Sequence, residues 1–404
     1  MGIVVQKYGG SSVANSDRLR HVAHRIINYY KMGHQVVAVV SARGDTTDEL
    51  IALAQEVASD PPPREMDMLL ATGEQVSIAL LAMTIHSMGY PAISLTGAQV
   101  GIRTDDMHTK AKILEVACSR LLEELKQNKI VIVAGFQGVT DENEITTLGR
   151  GGSDATAVAI AAALKADVCE IYTDVEGVFT ADPRLVPSAR KLNKVSYDEM
   201  LELASLGAVV LQPRSVELAK LHQVRLCVRS SFNDNTGTWI EENPDMERDN
   251  VVTGIAQDMN IAELAIFDVP DRPGIAYKLF SALANAGINV DMIIQSTMRD
   301  DYNDISFTIC KDDLKQALKV LEVVTKELGA SGFTYDDQVA KVSIVGAGMI
   351  TNPGVAAKMF EALAEKNINI QMISTSEIKV SCVVKLQDAE LAVQALHEKF
   401  GLAG

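Results

Sequence analysis

Val5-Gln6-Lys7-Tyr8-Gly9-Gly10-Ser11-Ser12-Val13 is a short apolar run that ends in a lysine, two glycines and two serines before a helical pattern begins. A strand turning sharply into a helix is the punctuation of an α/β protein. The glycines let backbone amides approach phosphate oxygens, and a lysine just ahead of them adds a point charge for the same group. The spacing is not that of a Walker A loop. Read on its own residues, the segment is equally an ordinary strand-to-helix turn.

Outward from this turn the same alternation continues for some 230 residues. Strands are expected at 3–5, 35–40, 92–95, 130–133, 169–173 and 225–228, with helices at 17–32, 74–88, 109–127 and 155–165. Short β-branched runs separated by helical periodicity predict a largely parallel sheet with crossover helices. Glu241 to Asn250 is acidic and polar, contains Pro244 and has no apolar period, which marks a linker or exposed turn.

Beyond it the chain repeats itself with an offset of 80 residues. Pro273-Gly274, Ala276, Lys278, Phe280, Ala282-Leu283-Ala284, Ile288-Asn289, Met292-Ile293 and Ser296 recur as Pro353-Gly354, Ala356, Lys358, Phe360, Ala362-Leu363-Ala364, Ile368-Asn369, Met372-Ile373 and Ser376. Each copy reads as strand, Pro-Gly at a helix start, amphipathic helix and second strand, then a further strand and helix, giving a βαββαβ unit.

Bulk composition narrows the function. At 404 residues two or three domains are expected. A net charge of −16 argues against nucleic-acid binding, which needs a basic face. The five cysteines form no Cys-x-x-Cys pair and read as reduced core residues, while the seven histidines show no metal-binding spacing. No signal or myristoylation pattern opens the chain and no apolar run approaches membrane-spanning length, so a cytoplasmic protein without membrane contact is expected.

Two further segments carry chemistry. Thr146-Thr147-Leu148-Gly149-Arg150-Gly151-Gly152-Ser153-Asp154 opens an Ala-rich helix. Ser153 or Asp154 could serve as a plain N-cap, but capping leaves Arg150 unexplained, and a guanidinium beside free amides suits a carboxylate. Ile171 to Arg184 leaves a strand into a dense polar turn, which reads as a nucleotide-contacting loop or as an ordinary surface loop.

Together with Val39-Val40-Ser41-Ala42, Gly44-Asp45-Thr46-Thr47-Asp48, Thr72-Gly73-Glu74-Gln75-Val76-Ser77, Gly135-Phe136-Gln137-Gly138 and Leu211-Gln212-Pro213-Arg214-Ser215, these segments resemble the amino-acid kinase family and, within it, the branch that phosphorylates aspartate. The two C-terminal copies resemble ACT domains, on Asp271-Arg272-Pro273-Gly274 and the Ile288-Asn289-Val290-Asp291 turn. The resemblance implies a three-layer αβα sandwich at residues 1–245, followed by ferredoxin-like ACT modules at 262–335 and 340–404.

It also implies roles. Lys7, Gly9 and Gly10 would hold the transferring phosphoryl group, with Ser41, Thr173, Asp174, Phe179, Asp182 and Arg184 around ATP. Thr47, Glu74, Arg150, Gly151, Gly152, Ser153 and Asp154 would hold L-aspartate, with Lys7, Arg150 and Asp154 as the catalytic set. Asp271, Gly274, Ala276 and Gln295 match effector positions for lysine, threonine or both, and the second copy's equivalent pocket would lie around Pro353, Gly354 and Asn369. Mg²⁺ is expected to enter with ATP, with no protein ligand assigned.

The partners implied are a second copy, joined through paired ACT modules, or a shorter ACT-only subunit. Ser11, Arg43 and Val209 depart from the family pattern, where Thr, Met and Lys are usual, and the last predicts a weakened or altered ATP contact. The alternatives are a kinase of the acetylglutamate or glutamate type, or a non-catalytic amino-acid-sensing subunit.

Overall fold

The computed structural model describes residues 2–207, 210–242, 251–296 and 301–404. Val209 and most of the expected linker, from Asn243 to Asn250, lie outside the described residues. The chain forms two compact units. The first comprises residues 1–178, 191–205 and 209–247, and the second 179–190, 206–208 and 248–404.

The first unit is built on an eight-stranded sheet in the order Lys194–Val195, Thr238–Ile240, Leu226–Ser230, Val168–Thr173, Ile3–Tyr8, Gln35–Val40, Ile130–Ala134 and Ala92–Leu95. All neighbours are parallel except Leu226–Ser230 with Thr238–Ile240. The central strands are near-continuous apolar runs, as strands covered on both faces must be. Val36 to Val40 and Ile130 to Ala134 are all buried. Helix Gly152–Leu164 is apolar all round and almost wholly buried against strand Ile3–Tyr8. Helix Ser16–Lys31 starts where the Asn15 side chain accepts the Arg18 amide at 3.0 Å.

Two of the expected helices need correction. The stretch 109–127 is not one helix: Thr109 has a left-handed φ of 67°, Ile113–Val116 is a strand paired antiparallel with Ile102–Thr104, and only Ser119–Lys126 is helical. The β-branched ends of Ile113-Leu114-Glu115-Val116 pair well on a strand, and that pairing overrides the helical period. The helix expected at 74–88 instead runs Pro63–Ser87, with Pro63 in its first turn, where a missing N–H is tolerated. At 25 residues it is also long and apolar enough to cross a membrane by length and composition. Yet it buries Asp67, Glu74, Leu70, Ile78, Leu81 and Ile85 on one side, so it is a core helix of this unit.

In the second unit the two repeats share one six-stranded antiparallel sheet, ordered Val290–Gln295, Tyr302–Cys310, Gly254–Pro270, Gly332–Val345, Lys379–Lys385 and Met372–Thr375. Its two central strands are long enough to serve both repeats. Ile261 to Pro270 pairs with Tyr302–Cys310 of the first, while Gly254 to Asp258 pairs with Lys341 to Val345 of the second. The second module therefore takes its last strand from the chain ahead of the first, not from the residues after its own final helix, Ala389–Lys399. Its core also includes Ala181 and Val186, together with Val342, Met359, Leu363, Leu396 and Leu402. The five cysteines are free, three of them buried, with Cys118 and Cys310 half-buried rather than in the core.

Candidate active site

Parallel strands bring their carboxyl ends to one edge of the sheet, where ligands of open α/β folds bind. Ile3–Tyr8, Gln35–Val40 and Ile130–Ala134 are neighbours, and Lys7 lies in register with Val39 and Ile171. The loops that follow are the segments singled out in the sequence.

Lys7 reaches from the strand to Asp154, with its Nζ 2.6 Å from Oδ1, both side chains largely buried. Asp154 occupies the first turn of helix Gly152–Leu164, where the free amides favour an anion. Lys7 is thus held at the start of a helix. Gly10 lies where a Cβ would meet the carbonyl oxygen of Ala42 at 2.7 Å and that of Gly44 at 3.0 Å, so the two loops approach too closely for any side chain. The Gly44 amide donates to the Gly10 carbonyl at 3.1 Å, and the Ser41 amide to the Tyr8 carbonyl at 3.0 Å. Arg43, one of the departures from the family pattern, ties the same turn down by donating to the carbonyls of Val13 and Ala14 at 3.2 and 3.0 Å.

Glu74 enters from helix Pro63–Ser87. Its Oε1 accepts the Ala42 amide at 3.0 Å, while Oε2 is buried with no hydrogen-bond partner. Burial pushes its carboxyl up to about 7, against the smaller opposing pull of the Ala42 amide. A carboxylate with one oxygen anchored and one vacant is suited to a cation.

Gly149, Arg150 and Gly151 form the turn before helix Gly152–Leu164, and Gly151 is its left-handed N-cap. Ser153 is packed under Gly135, and Gly152 under Leu148 and Phe136. Arg150 is exposed and has no ion-pair partner among the described residues. It precedes the helix that carries Asp154, so Arg150 and the Lys7 pair belong to one end of one element.

The remaining expected residues are less tightly gathered. Thr47 is in the first turn of helix Thr46–Val57. Thr173 donates to the neighbouring Asp174 carboxylate at 3.0 Å, just past strand Val168–Thr173. Phe179, Asp182 and Arg184 fold with the second unit, where Asp182 and Arg184 form a 2.6 Å ion pair that holds the Asp182 carboxyl below its usual range. Asp271, Gly274, Ala276 and Gln295 are exposed around the N-terminus of helix Ile275–Asn285 and the end of strand Val290–Gln295. Sequence reasoning passed over Asp67, His108 and Thr109, which pack behind the Arg150 turn. Asp67 lies ahead of the helix expected at 74–88, and only the longer helix Pro63–Ser87 puts it on the same face as Glu74, seven residues on.

Models of known families match nearly the whole chain: the amino acid kinase family over residues 2–230, and the ACT domain over 264–326 and again over 342–400. Among curated proteins the chain is 54% identical to Aspartokinase 2 of Bacillus subtilis and 53% identical to the aspartokinase of Mycolicibacterium smegmatis. Each match covers 100% of this chain, with 98% and 97% of those proteins. Among solved structures it is similar to E. coli aspartokinase III, 26% identical over 98% of this chain and 99% of that one. The TM-score is 0.84 for the complex with aspartate and ADP (R-state) and 0.76 for that with lysine and aspartate (T-state).

Proposed function

The chain belongs to the amino acid kinase family, in its aspartokinase branch, and from that premise we propose how its residues carry a phosphoryl group from ATP to the β-carboxylate of L-aspartate. Two anions must meet, so the work lies in positioning and charge neutralisation. A free aspartate side chain ionises at a pH of roughly 4, so the acceptor is already a carboxylate at neutral pH and leaves no task for a general base.

In this reading Lys7, with Gly9 and Gly10, holds the γ-phosphoryl group, and Asp154 fixes the lysine in place. Ser41, Thr173 and Asp174 serve the nucleotide. Glu74 takes the substrate ammonium on its vacant oxygen, Arg150 clamps the α-carboxylate, and Thr47 and the Gly151–Ser153 turn complete the cradle. The observation that carries the reading is the buried, half-satisfied Glu74 carboxylate on the Ala42 amide, beside the Gly10 turn. It favours an acceptor with a free ammonium over an N-acylated one. Mg²⁺ would enter with ATP, since it normally keeps several waters and bridges substrate phosphates, and no protein ligand is assigned to it.

We assign catalysis to residues 1–245 and sensing to modules at 262–335 and 340–404, in a cytoplasmic enzyme that opens lysine, threonine and methionine synthesis. Asp271, Gly274, Ala276 and Gln295 would receive lysine or threonine; the lysine complex of E. coli aspartokinase III supports the first. Both edge strands of the second unit's sheet carry an exposed isoleucine, Ile293 and Ile373, which supports pairing with a second copy or an ACT-only subunit. Coupled ADP release with a panel of amino acids tests the acceptor. Turnover of aspartate and not of glutamate or N-acetylglutamate is expected, with Arg150→Ala raising the aspartate KM about 100-fold. A near-normal KM in that variant would remove the clamp.

A further inference from the structure

Behind the Arg150 turn lies a network that these roles leave unused. Asp67 has no exposed surface, yet its carboxylate accepts from Thr147 Oγ1 at 2.5 Å and from the Thr109 amide at 3.1 Å to each oxygen, and lies 2.7 Å from His108 Nδ1. A buried carboxylate is tolerated only when donors replace its water. Here they come from two segments, the loop around His108 and the strand Ile145–Thr147 that leads to Arg150.

The loop bends to supply them. Thr109 is β-branched yet sits at a φ of 67°, a conformation that persists only where its surroundings enforce it. The same loop touches the clamp's approach. The Ala111 amide donates to the Thr147 carbonyl at 3.0 Å, and a Cβ on Gly149 would lie 3.2 Å from the Thr109 carbonyl oxygen. Arg214 closes the frame by donating to the carbonyls of Leu148 at 3.1 Å and Ala111 at 2.9 Å. Thr147, Leu148 and Gly149 are thus fixed on several sides, while the next residue, Arg150, has an exposed side chain with no partner of its own among the described residues.

We infer that Asp67 is a positioning residue for substrate recognition: it draws the His108–Thr109 loop under Gly149 so that Arg150 leaves its strand in one direction. The inference rests on Arg150 as the α-carboxylate clamp. It concerns the amino-acid half of the reaction, with no effect on the nucleotide.

Steady-state kinetics on the full chain tests it, with aspartate and ATP varied separately. Asp67→Asn and His108→Ala are expected to raise the aspartate KM about tenfold and to leave the ATP KM unchanged. His108→Asn, whose amide nitrogen takes the place of Nδ1, should recover most of the loss. His108 is partly exposed, so its variants carry the test even if Asp67→Asn does not fold. In an Arg150→Ala background the Asp67→Asn effect should vanish. A repeated tenfold rise in that background overturns the inference, as does a parallel rise in both KM values with a lowered Tm. If Arg150→Ala alone leaves the aspartate KM unaltered, the clamp reading fails first and the positioning role falls with it.

Discussion

Asp67 and Glu74 are buried carboxylates two helical turns apart on one face of helix Pro63–Ser87, and their surroundings give them opposite chemistry. The first is saturated with donors, whereas the second keeps an oxygen free and has its carboxyl raised to about 7 by desolvation. A raised carboxyl binds its proton more tightly in the folded state. Folding stability from this group is therefore fully present below the unfolded value and is lost as pH rises from about 4.5 through about 7. Glu74→Gln should remove that loss: its Tm relative to the parent is expected to climb between pH 5 and pH 8, while aspartate turnover falls at least 100-fold. A Tm difference that is flat with pH would show that Glu74 ionises freely. At this scale Lys7 and Asp154 stood out in segments that also read as an ordinary turn and a plain N-cap, and Glu74 came only from the resemblance to the family. Asp67 did not stand out, since an aspartate flanked by methionines and leucines reads as the exposed stripe of a helix until its donors, some forty and eighty residues later, are in view.

At the scale of elements, the strand-turn-helix rhythm of the first unit was readable, and the Gly9-Gly10 turn fell where expected. The period of the sequence misled where tertiary pairing competes with it, as for 109–127. Whether the strands' loops meet was not legible, because that depends on register. Gly10 is where the meeting is tightest, and Gly10→Ala is expected to force the turn away from Ala42 and Gly44. The kcat should fall about 10- to 100-fold while thermal unfolding shifts by only a few degrees. Equal activity in the alanine variant would mean the loops yield without consequence.

At the scale of the whole molecule, the 80-residue repeat announced two related modules, and the strand that the second takes from the chain ahead of the first left no trace in sequence. Neither did the placement of residues 179–190. Within the second unit, the buried Thr180 hydroxyl accepts from the Arg190 amide at 2.9 Å, donates to the Leu402 carbonyl at 3.2 Å and lies 2.9 Å from His397 Nε2. The carbonyl can only accept and the amide only donate, so the remaining lone pair is filled by an Nε2–H. The sensing role itself predicts inhibition: lysine and threonine, added singly and together to the turnover assay, should depress the rate, and Asp271→Ala should blunt the response several-fold without altering the uninhibited rate. An Asp271→Ala enzyme inhibited as before would move the effector elsewhere.

Because Ala181 and Val186 complete the second module's core, a shorter product translated from a start downstream of residue 250 would inherit both repeats and lack a piece of their interior. The cluster that holds Leu396 and Leu402 would lose Ala181 and Val186, and the His397 imidazole and Leu402 carbonyl would lose the Thr180 hydroxyl. Such a chain would be incomplete by itself, ready to accept a stand-in for twelve residues it never encoded.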